Sequence, residues 1–151
     1  MHNIRPVQAE DVKAIVSQAG QAALEALRVL GVADIESAVH TLVRSSSLTR
    51  TIEHQGSPIA VFGFVPTSAT GSSVWLIAID NLSALPPSLI VQAKDYLQEV
   101  AKDFPKLTTA VWEKNPDHIR WVQWLGFQET SRAHINGEVF LNFVREENHG
   151  I

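Results

Sequence analysis

Two side chains in this sequence are of types that could move a proton. Asp80 follows an apolar run, Val74 to Ile79, and His118 sits in the first turn of a short helix that begins after Asn115. A carboxylate or an imidazole can do general acid–base chemistry, provided a reacting group comes within hydrogen-bond reach. Glu53, in another extended run, is a third candidate. A carboxylate near a strand end is more often simply solvated. His118 has plain alternatives as well: a partner contact, a ring that satisfies the helix start, or packing against a sheet.

Other chemistries find less. The six histidines, at positions 2, 40, 54, 118, 134 and 149, form no H-E-x-x-H or close pair, so no metal site is expected. There is no cysteine. That removes a disulfide framework, a thiolate zinc site and a Cys nucleophile. Ser45-Ser46-Ser47 lacks a Gly-x-Ser-x-Gly context and reads as a helix end. A net charge of −4, from 12 basic and 16 acidic residues, offers no basic footprint for nucleic acid or an anionic membrane. No apolar run reaches membrane-spanning length, and M-H-N-I-R-P is not a signal-peptide pattern, so a soluble, non-secreted protein is expected. At 151 residues with 45% hydrophobic content, one domain with a proper core is expected.

The elements that must position these groups follow from periodicity. His2 to Val7 reads as a first strand. Three short helical faces follow: Val12, Ile15, Val16 and Ala19, closed by Gly20; Ala23, Leu24, Leu27 and Leu30, ended by Gly31; and Ile35, Ala38, Val39 and Leu42, capped by Asp34. Leu48 to His54, Ile59 to Val65 and Val74 to Ile79 are extended, and the last is apolar on both faces, as a buried central strand is. Pro87 to Phe104 is the clearest helix, stopped by Pro105, and Leu107 to Val111 is a strand. Gln128 to Ile135 and Glu138 to Val144 flank Asn136-Gly137, a two-residue hairpin signal. The expected domain is 1–144, with 145–151 a frayed polar tail.

Between the last strands lies the most strongly punctuated segment, N-P-D-H-I-R-W-V-Q-W-L-G-F, Asn115 to Phe127. Asn115 suits the N-cap, Pro116 the first helical position, and Gly126 the left-handed residue that ends a helix. Trp121, Val122 and Leu125 project to one side with His118, and Trp124 points away, towards Arg120 and Gln123. Trp124 therefore reads as a partner contact or as cover for a sheet edge.

An Asn-capped helix closed by Leu125-Gly126-Phe127 resembles the last helix and sixth strand of the GNAT fold, the fold of the acetyl-CoA-dependent N-acetyltransferases. The order of elements agrees over nearly the whole chain. The resemblance implies an α+β, three-layer α/β/α domain. Its mixed, mostly antiparallel sheet would have about six to seven strands, with helices on both faces and a splay between strands four and five. It also implies a catalytic Tyr that protonates the departing coenzyme A thiolate. Val122 stands in that place and has no proton to give.

The same resemblance implies a phosphate-binding loop of the form Q/R-x-x-G-x-G/A before the long helix. Here the segment is Asp80-Asn81-Leu82-Ser83-Ala84-Leu85-Pro86-Pro87-Ser88, without glycine or arginine. Glycines let backbone amides approach a diphosphate, and prolines have no amide to offer. Within the fold, the sequence resembles the small internal virion proteins of T7-like podoviruses. Ala60-Val61-Phe62-Gly63, Val74-Trp75-Leu76-Ile77, Phe104-Pro105-Lys106-Leu107 and Asn115–Phe127 carry that likeness. It implies a setting in the virion or host cytoplasm.

Three functions follow as expectations. The first is a non-catalytic GNAT-fold phage protein that binds no cofactor and acts through protein contacts, with Trp124 as the candidate contact. The second is a divergent N-acyltransferase taking acetyl-CoA or another acyl-CoA. Asp80, His118 or water would then handle protons, and Ile77, Ala78, Ile79, Ser88 and Asn115 would line the donor site. The third is a small-ligand binder using the same cleft near Trp75.

Overall fold

The computed structural model describes residues 3–79 and 85–146. The elements run β1 (Ile4–Arg5), α1 (Ala9–Gln18), α2 (Gln21–Val29), α3 (Ile35–Ser45), β2 (Leu48–His54), β3 (Ser57–Pro66), β4 (Gly71–Ala78), α4 (Pro87–Val100), β5 (Lys106–Trp112), α5 (Pro116–Trp124), β6 (Gln128–Ile135) and β7 (Glu138–Glu146). The strands form one sheet in the order β1-β2-β3-β4-β5-β7-β6. Every pairing is antiparallel except β4 with β5. No helix among the described residues is long and apolar enough to cross a membrane.

Alternation along the central strands builds a core on each face. Phe62, Phe64, Leu97, Leu107, Trp121 and Phe143 pack on the α4–α5 face. Val12, Ile15, Val39, Val61 and Ile77 pack on the α1–α3 face. β3 is thus buried on both sides, whereas β4, expected to be a buried central strand, is half-buried at Val74, Trp75 and Leu76 and buried only at Ile77 and Ala78 of the expected run.

The local signals act where expected. Asp34 accepts the Ser37 amide at 3.1 Å, and Asn115 Oδ1 accepts the His118 amide at 3.3 Å. Gly126 ends α5 at φ +97°, a conformation that side chains resist. Asn136 and Gly137, at φ 51° and 79°, form the β6–β7 turn.

Several boundaries differ from the sequence reading, four of them with a bearing on the domain's ends and helices. The first strand is confined to Ile4–Arg5 of the expected His2–Val7, and His2 lies outside the described residues. Gly20 does not close α1; Ala19 is already extended, and Gly20 caps α2 instead. The long helix stops at Val100 rather than Phe104. Pro105 disfavours helical backbone in the residue before it, so Lys102 and Asp103 tighten into turns on Glu99 and Val100. Finally, β7 continues past Val144 to Glu146. Lys106 and Leu107 pair with Glu146 and Arg145, and the Arg145 guanidinium Nε donates to the Leu125 carbonyl at 3.2 Å. Residues 147–151 lie outside the described residues.

One polar cluster ties the first strand to the rest. The Asp11 carboxylate, 2% exposed, accepts from Arg5 at 2.8 and 2.9 Å, from the Gln8 amide at 2.7 Å and from the Thr51 hydroxyl at 2.8 Å. Arg5 Nε also reaches Glu53 at 2.7 Å. Glu53 is thus committed to this cluster on β2, two strands away from β4.

Candidate functional site

The parallel pairing of β4 with β5 covers only Gly71 to Ser73 and Lys106 to Thr108. Beyond it the strands part. Strand parity decides which backbone groups face the gap. The Ile79 amide donates to the Ile59 carbonyl at 3.0 Å. In the antiparallel register with β3, the odd residues Trp75 and Ile77 therefore spend their backbone groups on β3, and Ile79 also bridges Ala19. Val74, Leu76 and Ala78 turn theirs towards β5. The Thr109 hydroxyl meets the first of these, donating to the Val74 carbonyl at 2.8 Å. It closes the apex of the gap. Leu76 faces the gap beyond it, and at the mouth Ala19, between α1 and α2, bridges Ile79 beside Ala78.

His118 stands where three cavities meet. The mouth, about 240 Å³, lies among the end of β4 (Leu76, Ala78, Ile79), the start of α2 (Gly20, Ala23) and the start of α5 (Asn115, His118). A second cavity, about 280 Å³, reaches His118 from the α1–α3 face, between Leu27, Trp75, Trp112 and Phe140. A smaller void, about 40 Å³, reaches it from the α4–α5 face, beside Leu76, Thr109 and Val122. The imidazole thus lines cavities on both faces of the sheet.

Burial pushes the His118 imidazole down to about 4 from its ordinary 6.5. Part of its surface opens to the cleft, so water there softens the effect, but its direction follows from the apolar walls. Among the described residues its side chain has no hydrogen-bond partner. At neutral pH it is an uncharged ring with a free acceptor nitrogen.

The two indoles of the α1–α3 side are fixed. Trp75 Nε1 donates to Ser46 Oγ at 2.8 Å, and Trp112 Nε1 donates to Glu138 at 3.0 Å. Trp75 lies flat over its cross-strand partner Gly63, where a Cβ would come within 2.6 to 2.7 Å of the ring. Gly63→Ala is expected to lift Trp75 off β3 and break its bond to Ser46. The cost should be on the order of 1–3 kcal/mol, read as a lower urea midpoint with a shifted tryptophan emission.

The residues singled out from sequence fall into distinct places. Asn115 and His118 line the mouth together with Ala78 and Ile79. Ile77 does not offer its backbone to the gap, being paired with Val61 on β3, and its side chain packs in the α1–α3 core. Leu76, which sequence reading missed, holds the equivalent place. Ser88 is exposed in the first turn of α4 and forms no side-chain cap there. Pro86 caps that helix, Pro87 is its first residue, and the Leu89 amide is spent on the Pro86 carbonyl at 3.1 Å. Asp80 and Asn81–Ala84, including Leu82, lie outside the described residues. Leu85 packs against the core. Val122 is buried one helical turn from His118, on the wall of the small void. Trp124 is 43% exposed on the far side of α5. No cluster of three or more His, Cys, Asp or Glu among the described residues could hold a metal ion.

No protein-family model matches the sequence, and no curated protein matches it. Solved structures do match. A ribosomal-protein-alanine N-acetyltransferase from Brucella melitensis aligns over 95% of this chain and 99% of its own, with a TM-score of 0.65 at 14% identity. An IAA acetyltransferase from Bacillus cereus aligns over 95% and 98%, with a TM-score of 0.65 at 16% identity. A spermidine N-acetyltransferase variant from Vibrio cholerae aligns over 95% and 92%, with a TM-score of 0.62 at 12% identity. At these identities the likeness is one of fold. The chain has the GNAT-like α+β fold, a mixed seven-stranded sheet with one parallel pair. None of these structures bears on a virion setting.

Proposed function

We propose that this chain is a GNAT-type N-acyltransferase, moving an acyl group from a thioester to an amine in the gap between β4 and β5. The observation that carries this reading is the gap itself: a parting of β4 from β5 with the Leu76 backbone groups turned into it and an uncharged imidazole on its wall.

An extended donor arm of the pantetheine kind fits the edge of β4 beside Leu76, pairing there as a missing strand would. A diphosphate fits the start of α4 poorly. Pro86 and Pro87 have no amide, and the Leu89 amide is already engaged. The donor's grip therefore rests on the arm.

His118 supplies the proton chemistry. Its free nitrogen takes a proton from the attacking amine as the new C–N bond forms. The C–S bond then breaks, and the imidazolium returns that proton to the departing thiolate. An imidazolium whose apolar surroundings disfavour its charge is a ready donor. One ring reaching both faces of the sheet thus covers the work of the absent phenol at Val122.

A second reading keeps the fold and drops the chemistry: a phage protein acting through contacts such as Trp124. It draws on Val122 and the two prolines, which depart from the acetyl-transfer pattern.

Titration calorimetry and turnover assays separate the two readings. S-acetyl-pantetheine is expected to bind within about tenfold of acetyl-CoA, or ~1.4 kcal/mol, and both to be consumed when a panel of amines is supplied. Absence of both heat and turnover with either donor, across the panel, would sink the enzymatic reading.

A further inference from the structure

We propose that the cleft on the α1–α3 side selects a small amine on a flat apolar body, of the phenylalkylamine class, and rejects polycations. This inference rests on the N-acyltransferase reading for its reaction, but not for its binding geometry.

Three observations point to this class. The first is charge. No Asp or Glu occurs among the described residues lining the cavity of about 280 Å³, and besides His118 and the two indoles its polar side chains are Asn115, Ser73 and Thr109. An ammonium group entering it would lose water and gain no carboxylate, an unfavourable exchange. A polyamine would do so more than once. Asp117 lies at the mouth and faces Arg120 at 3.7 Å, and the Glu138 carboxylate behind the wall is held by the Trp112 indole and by Lys114.

The second observation is shape. The walls include Trp75, Trp112 and Phe140, and both indole N–H groups are already spent, on Ser46 and Glu138. The rings are held in place and offer apolar surface rather than donors. Offset or edge-to-face contact with a ligand ring adds about 0.5–1.5 kcal/mol to the burial of its surface. The third is size. An apolar cavity of ~150 Å³ holds one benzene ring. This one, at about 280 Å³, has room for a ring and a short arm. The arm leads to His118, which borders both this cavity and the mouth where the thioester would lie.

The same walls favour the reactive form of the amine. Apolar surroundings disfavour the ammonium and favour the free base, the form that attacks a carbonyl. That leaves His118 to take the proton released after attack.

The test uses the whole chain without a donor. The indole N–H signals of the four tryptophans are followed by NMR as 2-phenylethylamine or spermidine is added. A pH near 9 keeps a share of the phenylethylamine uncharged. The Trp75 and Trp112 signals are expected to move with 2-phenylethylamine while Trp124 stays still. Its affinity should exceed that of spermidine by about tenfold, or ~1.4 kcal/mol. Ala26→Glu, which adds a carboxylate to the α2 wall of the cavity, should narrow or reverse the order. Spermidine binding as well as or better than 2-phenylethylamine in the unaltered chain overturns the proposal, and so do unmoved Trp75 and Trp112 signals. Loss of acyl transfer with the binding preference intact would fall on the N-acyltransferase reading alone.

Discussion

His118→Gln is expected to lower kcat/KM for acyl transfer by about 10²- to 10³-fold, the range in which a positioned acid–base group contributes. The glutamine keeps much of the ring's size and polarity but neither accepts nor returns a proton. It should therefore leave donor binding along β4 within a factor of a few. Undiminished turnover by this variant would remove His118 from the mechanism. Unchanged kcat with a raised KM would reassign it to amine binding.

The pH behaviour gives a second, independent readout. The folded imidazole titrates near 4, lowered by burial from 6.5. Between those values the unfolded chain binds a proton that the folded chain does not. Stability from this group is therefore complete above about pH 6.5 and is lost as pH falls towards 4. The loss is smaller than for a fully enclosed ring, because His118 borders an open cleft. His118→Gln should flatten the fall in melting temperature between about pH 6.5 and 4. A fall equally steep in the variant would mean that the ring titrates normally. Turnover should show no inflection near 6.5 from the enzyme itself. Its rise with pH should follow the acceptor amine, whose free base attacks.

Much of the scaffold around His118 was legible because its signals are local. Asn115, Pro116 and Gly126 define α5 within a single stretch, and Asn136-Gly137 defines the last hairpin in the same way. Those signals rest on backbone preferences that hold whatever packs nearby. The side chains of the site were harder to read. Ile77 and Leu76 are equally apolar in sequence. Only pairing with β3 decides that Leu76, not Ile77, turns its backbone into the gap, and one residue of register reverses the assignment.

The same limit hid Thr109 and Gly63. A threonine in β5 reads as ordinary strand filling until β4 diverges and leaves the Val74 carbonyl within reach of its hydroxyl. A glycine inside β3 reads as a weakness until Trp75 is found lying across it. Both are facts about neighbouring strands, and the sequence separation between them carries no such information. Val122 was legible as a missing phenol from the resemblance alone. That His118 faces the same cleft from one turn away needed only helical spacing. That it also reaches the opposite face of the sheet needed the splay.

Asp11→Ala is expected to destabilise the fold by about 3–5 kcal/mol, the range for removing one partner of a buried ion pair. The carboxylate is 2% exposed and gathers Arg5, the Gln8 amide and the Thr51 hydroxyl. Burial alone would raise its pKa. The Arg5 guanidinium, with the Gln8 amide and Thr51 hydroxyl, outweighs that effect and holds it below its ordinary value. The folded carboxyl therefore loses its proton more readily than the unfolded one. Its contribution is present above the ordinary carboxylate range, ~3.9, and is lost as pH falls through the lower folded value. This window lies below that of His118, so an acid titration separates the two groups. Asp11→Asn keeps the shape and removes the charge. It should recover part of the loss through the Thr51 and Gln8 bonds while leaving Arg5 with Glu53 alone. Urea unfolding followed by far-UV circular dichroism measures both variants. A loss below ~1 kcal/mol for Asp11→Ala, as for an exposed pair, would show that the cluster is solvated in solution and does not fasten β1 to α1 and β2.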